Sequence, residues 1–575
     1  MSYLPRRTLL RYVLSTALGL ALCANARLGS AISCPILQPQ PQSDADKALL
    51  SGQNSDAENL YRAALAGHPG DPHLTAGLVH ALLRQQKVQE AADAVKGSLA
   101  TAPQNPALLT LRGEVELREG VIWEAAGTAV ASQKLDPCNP RTKLLLADIS
   151  RINSLYASER RFVVEAHQLD PSDPEIRQEW MMTLPLKARI AELEAYLKQP
   201  AGDDEDDLRH LHMALDDWKR QSSQPRKPCR LVSPVTATEV PMTRLMYDPT
   251  HIRAFGLDVK LNNRDARLEI DTGAGGLVVT RAVAQKAGLI AFSQTEMYGI
   301  GDQGNKSGYI AYADSIRIGG LEFQNCAVQV LDGKHGLEEA DGLIGMDVLS
   351  QFLVTLDYPM RKIVLGPLPP RPGEAPSVKP ELNTGDDSPD ETEDDADAGQ
   401  AQDKPANADP GKTRTETSSA NASRGPWDRY VAPEMKDYAK VYRVGHNLIL
   451  PAALNGSKIR LFILDTGAWA TVISPQAARE VTKVHVDNDM QVRGISGKVE
   501  KVYAADNITF RFANLSQKVN GVAAFDTSNI SKGVGLEISG FIGAKTLDLV
   551  TMHIDYRDGL VKFEYDPNRG YRFEK

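Results

Sequence analysis

The spacing of apolar residues divides the chain into a helical first part and a β-rich remainder. The stretches "KARIAELEAYLKQ" and "DLRHLHMALDDWKRQ", within residues 174–220, are amphipathic at helical period. From about Leu231 the pattern changes to short β-like runs between Gly, Asn and Asp turns. "FGLDVKLNNRDARLEIDTGA" predicts strand, turn, strand, and so does "LILPAALNGSKIRLFILDTGA", with Asn455-Gly456 at its turn. Each is followed by a further apolar strand, "LVVT" or "TVIS", and a short helical run.

The helical part keeps a beat. "PGDP" begins at Pro69, "PQNP" at Pro103, "PCNP" at Pro137 and "PSDP" at Pro171, a step of 34 residues each time. Ala57, Ala91 and Ala125 share one phase, which Glu159 breaks; Ala45, Gly113 and Ala147 share another, which Val79 breaks. Small residues at fixed phases let two helices approach closely, and the prolines end one helix and begin the next unit. This pattern, over residues 38–173, resembles the tetratricopeptide repeat. Residues 174–220 then cap an α-solenoid spanning 38–220. The resemblance implies a concave face that binds a partner protein; the plainer alternative is a packing spacer.

The β-rich part is written twice. Asp-Thr-Gly-Ala occurs at Asp271 and again at Asp465. Each copy is followed by a Gly-rich hairpin, "YGIGDQGNKSGY" or "VRGISGKVEKVY", then by "GLIGMDVL" or "GFIGAKTL", and closes with "TLDYPMRKIVL" or "HIDYRDGLVKF". This recurrence indicates an internal duplication, with lobes at 230–366 and 427–575. Between them, residues 367–426 are rich in Pro, Asp, Glu, Ala and Ser, with eight of twelve residues acidic from Asp386 to Asp397. Such a segment reads as a disordered linker.

Asp-Thr-Gly-Ala at a strand end, with a later apolar-apolar-Gly, resembles the aspartic proteases, and the short spacing is nearer the retroviral (retropepsin-like) type. The resemblance covers both lobes. It implies a fold class of multidomain type: an all-α helical-repeat solenoid followed by an all-β two-lobed aspartic-protease-like domain. It implies Asp271 and Asp465 as the catalytic pair, facing each other within one chain or, alternatively, each half pairing with its copy in a second chain, and Thr272, Gly273, Thr466 and Gly467 as support for the catalytic loops. Two carboxylates about 3 Å apart cannot both ionise, so one serves as base and the other as acid. The hairpins are expected to be flaps over substrate, with Gly299, Ile300, Gly301, Gly494 and Ile495 at their tips. "GIGDQG" also matches a dinucleotide fingerprint, but a strand-like run follows it where that fingerprint needs a helix. Leu343, Ile344, Phe541 and Ile542 are expected in the core. Ala274 and Ala468 stand where pepsin-like enzymes have Ser or Thr, which predicts a mildly acidic optimum.

Composition adds limits. A net charge of −9 gives no reason to expect nucleic acid as a partner. Arg6, Arg7 and Arg11 precede the apolar run Tyr12–Leu22 and the small-residue site Ala24-Asn25-Ala26, which reads as a cleaved signal peptide over 1–26. That predicts an exported protein, in the bacterial periplasm or extracellular, with no integral membrane segment after cleavage. The five cysteines lack CxxC spacing and read as incidental thiols. No cofactor and no metal are expected. The reading is an exported aspartic endopeptidase whose repeats bind substrate or a partner; the alternative is a non-catalytic peptide-binding scaffold. If the repeats act as a propeptide, removing residues 27–226 raises activity.

Overall fold

The computed structural model describes residues 34–37, 42–203, 205–248, 251–297, 299–333, 337, 340–372, 428–456, 459–487 and 490–566. The expected signal peptide, and the acidic linker from residue 373 onward, lie outside them.

Helices follow one another from Asp44–Leu50 to Glu205–Ser223. The repeat explains their register. Asp71, Asn105, Asn139 and Asp173 are N-caps whose side chains accept from backbone N–H groups in the next turn, and the following proline fills the first helical position. A proline costs nothing there, because that N–H has no intrahelical partner. The first helices of three successive pairs, Pro72–Arg84, Pro106–Arg118 and Pro140–Ile152, are each 13 residues long. Ala57, Ala91 and Ala125 are wholly buried between paired helices. A Cβ on Gly113 would lie 2.6 Å from Leu145 Cδ2, so the phase requires a small residue. Glu159, which breaks the alanine phase, has its carboxyl pushed up to about 7 by burial. The start of the solenoid is tied to its later helices: the Gly202 amide donates to the Leu50 carbonyl at 2.7 Å, and Arg84 Nη2 to Glu175 Oε1 at 3.4 Å.

The cysteines correct the sequence reading. Cys34 pairs with Cys138 and Cys229 with Cys326, across sequence separations of 104 and 97 residues. Both bonds join segments that only the fold brings together. Cys229 precedes the short strand Arg230–Leu231, which lies against Leu321–Leu331. Local spacing cannot report such pairs.

The β-rich part forms two lobes of the same design. In the first, strand Arg264–Asp271 runs parallel to Gly342–Gly345, which pairs antiparallel with Leu277–Thr280. In the second, Ile459–Asp465 runs parallel to Gly540–Gly543, which pairs antiparallel with Val472–Ile473. Asp271 stands opposite Gly345, and Asp465 opposite Gly543. The hairpin turns before these strands need positive φ. Asn262 and Asn263 supply it in one lobe, Asn455 and Gly456 in the other.

One antiparallel sheet spans both lobes. Phe352–Asp357 pairs with Val550–Asp555, with Leu353 opposite Asp555, Thr355 opposite His553 and Asp357 opposite Thr551. The register is symmetric about Thr355 and His553, which hydrogen-bond at 2.9 Å (Oγ1 to Nδ1). A pseudo-twofold axis therefore passes between them, and one apolar core runs through both lobes.

The solenoid touches both lobes. Leu117, Ile122, Leu145 and Ile149 join the second lobe's Leu461, Leu536 and Ile538 in one buried cluster. The Glu537 amide donates to the Arg118 carbonyl at 2.9 Å. At its far end, helix Glu205–Ser223 reaches the first lobe. Arg209 pairs there with Glu296, and Arg220 Nη1 donates to the Phe292 carbonyl at 3.3 Å.

Candidate active site

The pseudo-twofold axis brings the two Asp-Thr-Gly loops face to face. Thr272 and Thr466 bond across it reciprocally. The Thr272 amide donates to Thr466 Oγ1 and the Thr466 amide to Thr272 Oγ1, each at 3.0 Å. The hydroxyls donate onward to opposite-lobe carbonyls, Thr272 to Leu464 at 2.7 Å and Thr466 to Ile270 at 2.9 Å. Both threonines are buried, so the bonds are shielded from water and fix the loops against each other.

This grip sets the carboxylates side by side. Asp271 and Asp465 lie close enough for each to shift the other's titration. Gly273 N–H donates to Asp271 Oδ1 at 2.9 Å, and Ala468 N–H to Asp465 Oδ1 at 2.8 Å. The glycines are required by proximity. A Cβ on Gly467 would fall 2.4 Å from the Asp271 carboxyl carbon, and one on Gly273 2.8 Å from that of Asp465. Burial pushes both carboxyls up; for Asp465 the neighbouring Asp271 charge adds to it, and its carboxyl lies well above the usual range. The pair titrates as a unit and shares a proton.

The two hairpins meet above the pair. The strands Ala291–Met297 and Lys306–Ile318 carry the first tip, and Arg493–Gly494 with Gly497–Lys498 the second. The Gly299 amide donates to Ser496 Oγ at 3.1 Å, the Ser496 amide to the Ile300 carbonyl at 3.1 Å, and the Gln303 amide to the Ser496 carbonyl at 2.8 Å. Gly301 and Gly494 make room for this crossing: a Cβ on either would lie within 2.5 Å of the opposite hairpin's backbone. Ile300 packs with the second lobe's wall cluster and Ile495 with the first lobe's, so each tip reaches over the opposite lobe.

One expectation divides. Ile344 and Ile542 belong to the main core. Leu343 and Phe541, one residue earlier, face the other way and pack in the wall clusters that hold the flap tips. Alternation along a strand forces this, and treating the apolar pair as one unit concealed it. Trp469 packs against the main core.

Four further groups support the site without having been singled out in the sequence. Asp347 accepts the Gly276 amide on both oxygens at 3.0 Å, holding the far end of the first Asp-Thr-Gly loop. Burial pushes its carboxyl up to about 6. His446 presses on the same loop, since a Cβ on Gly275 would lie 2.8 Å from its Nδ1; burial pushes its imidazole down. Tyr358 is buried, and burial pushes its phenol up. The repeated "LDY" and "IDY" marked that position in both halves. Glu269, two residues before Asp271, bonds to Arg253 at 2.6 Å. Among the described residues no group of His, Cys, Asp and Glu could hold a metal ion.

A two-lobed β fold with one Asp-Thr-Gly loop from each lobe defines the aspartic-protease class. The family models agree. The model "Aspartyl protease" matches residues 257–348, within the first lobe, and a "Tetratricopeptide repeat" model matches 48–115. The chain therefore carries an aspartyl protease domain behind tetratricopeptide repeats. Among solved structures it is similar to the aspartic proteinase of Irpex lacteus, at 12% identity and a TM-score of 0.31, over 58% of this chain and 98% of that one. It is also similar to a thermophilic TPR protein of Thermus thermophilus, at 19% identity and a TM-score of 0.24, over 29% of this chain and 91% of that one. No curated protein matches it by sequence.

Proposed function

We propose that the protein is an exported aspartic endopeptidase with one active site, built by both lobes of a single chain. The observation that carries this is the reciprocal threonine grip, which holds Asp271 against Asp465 within one molecule. A water lodged between the carboxylates loses a proton to the ionised one and attacks the peptide carbonyl. The protonated partner gives its proton to the carbonyl oxygen; the carboxyl that took the water's proton then passes it to the departing amine, and collapse of the tetrahedral diol returns a proton to the pair. The flap tips exclude bulk water from the reacting atoms. Two disulfides support an oxidising compartment and so the export reading. In this reading the repeats bind a protein, whether substrate or partner. Much of the charge on their first helices is already paired within the chain, as in Arg141 with Glu114 and Glu175, so recognition there relies on more than charge.

The test is hydrolysis of a mixed peptide library by residues 27–575 between about pH 3 and 7, the range in which a carboxyl pair changes its protonation. Cleavage is expected, with an optimum at mildly acidic pH, and loss of at least about a thousandfold in either Asp271→Asn or Asp465→Asn. Activity surviving one of these substitutions contradicts the shared site. No cleavage by the intact chain favours the scaffold reading.

A further inference from the structure

The solenoid meets the two flaps through different chemistry. Beside the second flap, Val499 and Val502 share one buried apolar cluster with Leu117, Leu145 and Ile149 of the helical repeats. The first flap meets helix Glu205–Ser223 and the segment after it through polar groups. Arg209 pairs with Glu296, and His210 Nε2 lies 3.8 Å from the other carboxylate oxygen. Arg220 Nη1 donates to the Phe292 carbonyl at 3.3 Å. The Arg226 guanidinium lies over the rings of Phe292 and Tyr312, at 4.8 and 4.2 Å from their centres.

The helix is built into the solenoid by one face and turned to the flap by another. Leu211, Leu215 and Trp218 pack with Met181, Leu193 and Tyr196 of the preceding helices. Arg209 and Arg220 stand eleven residues apart (220 − 209), about three turns of helix, and so share a face. Just before the helix, Gly202 is tied to Leu50 at the start of the solenoid. The position of Arg209 is therefore set by the helical repeats.

The flap strand Ala291–Met297 is gripped on both faces, because side chains alternate along it. Met297 packs inward with Val278, Leu343 and Ile495 of the opposite flap. Glu296 points outward to Arg209. Asn305 Nδ2, from the returning side of the flap, donates to Glu296 Oε2 at 3.0 Å, so one carboxylate joins both sides of the hairpin to the helix. Three residues beyond Glu296, the Gly299 amide begins the crossing with Ser496. A peptide reaches the aspartates only when that crossing opens. The Arg209 and Glu296 side chains are 40% and 27% exposed, so water and ions compete for this contact, whereas the cluster beside the second flap is buried. Opening is easier at the first flap.

We propose that helix Glu205–Ser223 is a latch on the first flap. The crossed flaps are the resting state, and the Arg209–Glu296 pair holds them there. A shift of this helix within the solenoid frees the flap and admits substrate, which makes the helical repeats the regulatory element of the site.

As a control on substrate entry this rests on the peptidase reading, and the test separates the two. Backbone hydrogen exchange is followed in residues 27–575, as the parent, Arg209→Gln, Glu296→Gln and the reversed pair Arg209→Glu/Glu296→Arg. The amides of Gly299, Gln303 and Ser496, which bond across the flaps, are expected to exchange about two- to fivefold faster in either single variant, as loss of a partly exposed ion pair allows. The reversed pair is expected to restore the parent rate, and the core strand Ile459–Asp465 to keep it throughout. In peptide hydrolysis both single variants are expected to raise kcat/KM by a similar factor, because more of the chain is open to substrate. Unchanged exchange at the flaps overturns the latch, and so does exchange that rises equally in the core strand or persists in the reversed pair. With a parent that cleaves, faster flap exchange without a gain in kcat/KM overturns the control of entry. Faster flap exchange, restored by the reversed pair, with no cleavage by any form overturns the peptidase reading and leaves the latch standing.

Discussion

Asp347 links the first Asp-Thr-Gly loop to pH. Burial raises its folded-state pKa from 3.8 to about 6, against the hydrogen bonds from Gly276 and Val348. Between those values the folded chain holds this proton more tightly than the unfolded chain does. The stabilisation from this group is therefore complete below about pH 4 and lost as pH rises to about 6, a swing on the order of 3 kcal/mol. Asp347→Asn cannot titrate. Its stability relative to the parent should consequently improve as pH rises from about 4 to about 6, read from urea midpoints at each pH. A difference that is flat, or that moves the other way, contradicts the buried-acid account. At this scale the sequence showed Asp271, Asp465, their threonines and their glycines, because each is tied to a short motif with its own chemistry. Glu269 and Arg253 were hidden: nothing in "RLEIDTG" marks the glutamate as different from a solvent-facing residue.

Among the elements, repetition was the readable signal. The 34-residue period fixed the helices, and the caps Asp71, Asn105, Asn139 and Asp173 show why each unit starts where it does. The duplicated halves gave the strands, since the same order of turns and apolar runs appears twice. The disulfides and the crossing of the flaps were not readable. Each depends on contacts between segments far apart in sequence, such as Ser496 with Gly299 or Cys229 with Cys326. The Cys229–Cys326 bond ties the chain leaving the solenoid to the first lobe's sheet. Closing a loop of 97 residues is worth roughly 4–5 kcal/mol in the chain-entropy model. Cys229→Ser with Cys326→Ser is expected to lower stability by about 2–5 kcal/mol in denaturant titration. An unchanged midpoint would show that this pair carries no structural load.

At the scale of the whole molecule the solenoid packs against both lobes. The solenoid covers Leu461, Leu536 and Ile538 of the second lobe, with Gly120 against Leu461, and holds the base of the first flap through Arg209 and Glu296. Removing residues 27–226 would expose that apolar cluster and leave the second lobe's wall unsupported. The expected outcome is loss of soluble folded protein and of activity, checked by expression, thermal melting and peptide hydrolysis. A truncated chain that folds and cleaves faster would instead assign the repeats to a propeptide.

The central claim is that one chain builds one site from its two halves, and complementation tests it most directly. Asp271→Asn and Asp465→Asn chains are mixed in equal amounts and assayed for peptide hydrolysis beside the parent chain. The account predicts an active parent and an inactive mixture, because neither variant molecule holds two working carboxylates and the lobes do not exchange between chains. Activity recovered in the mixture, or none in the parent, would contradict it.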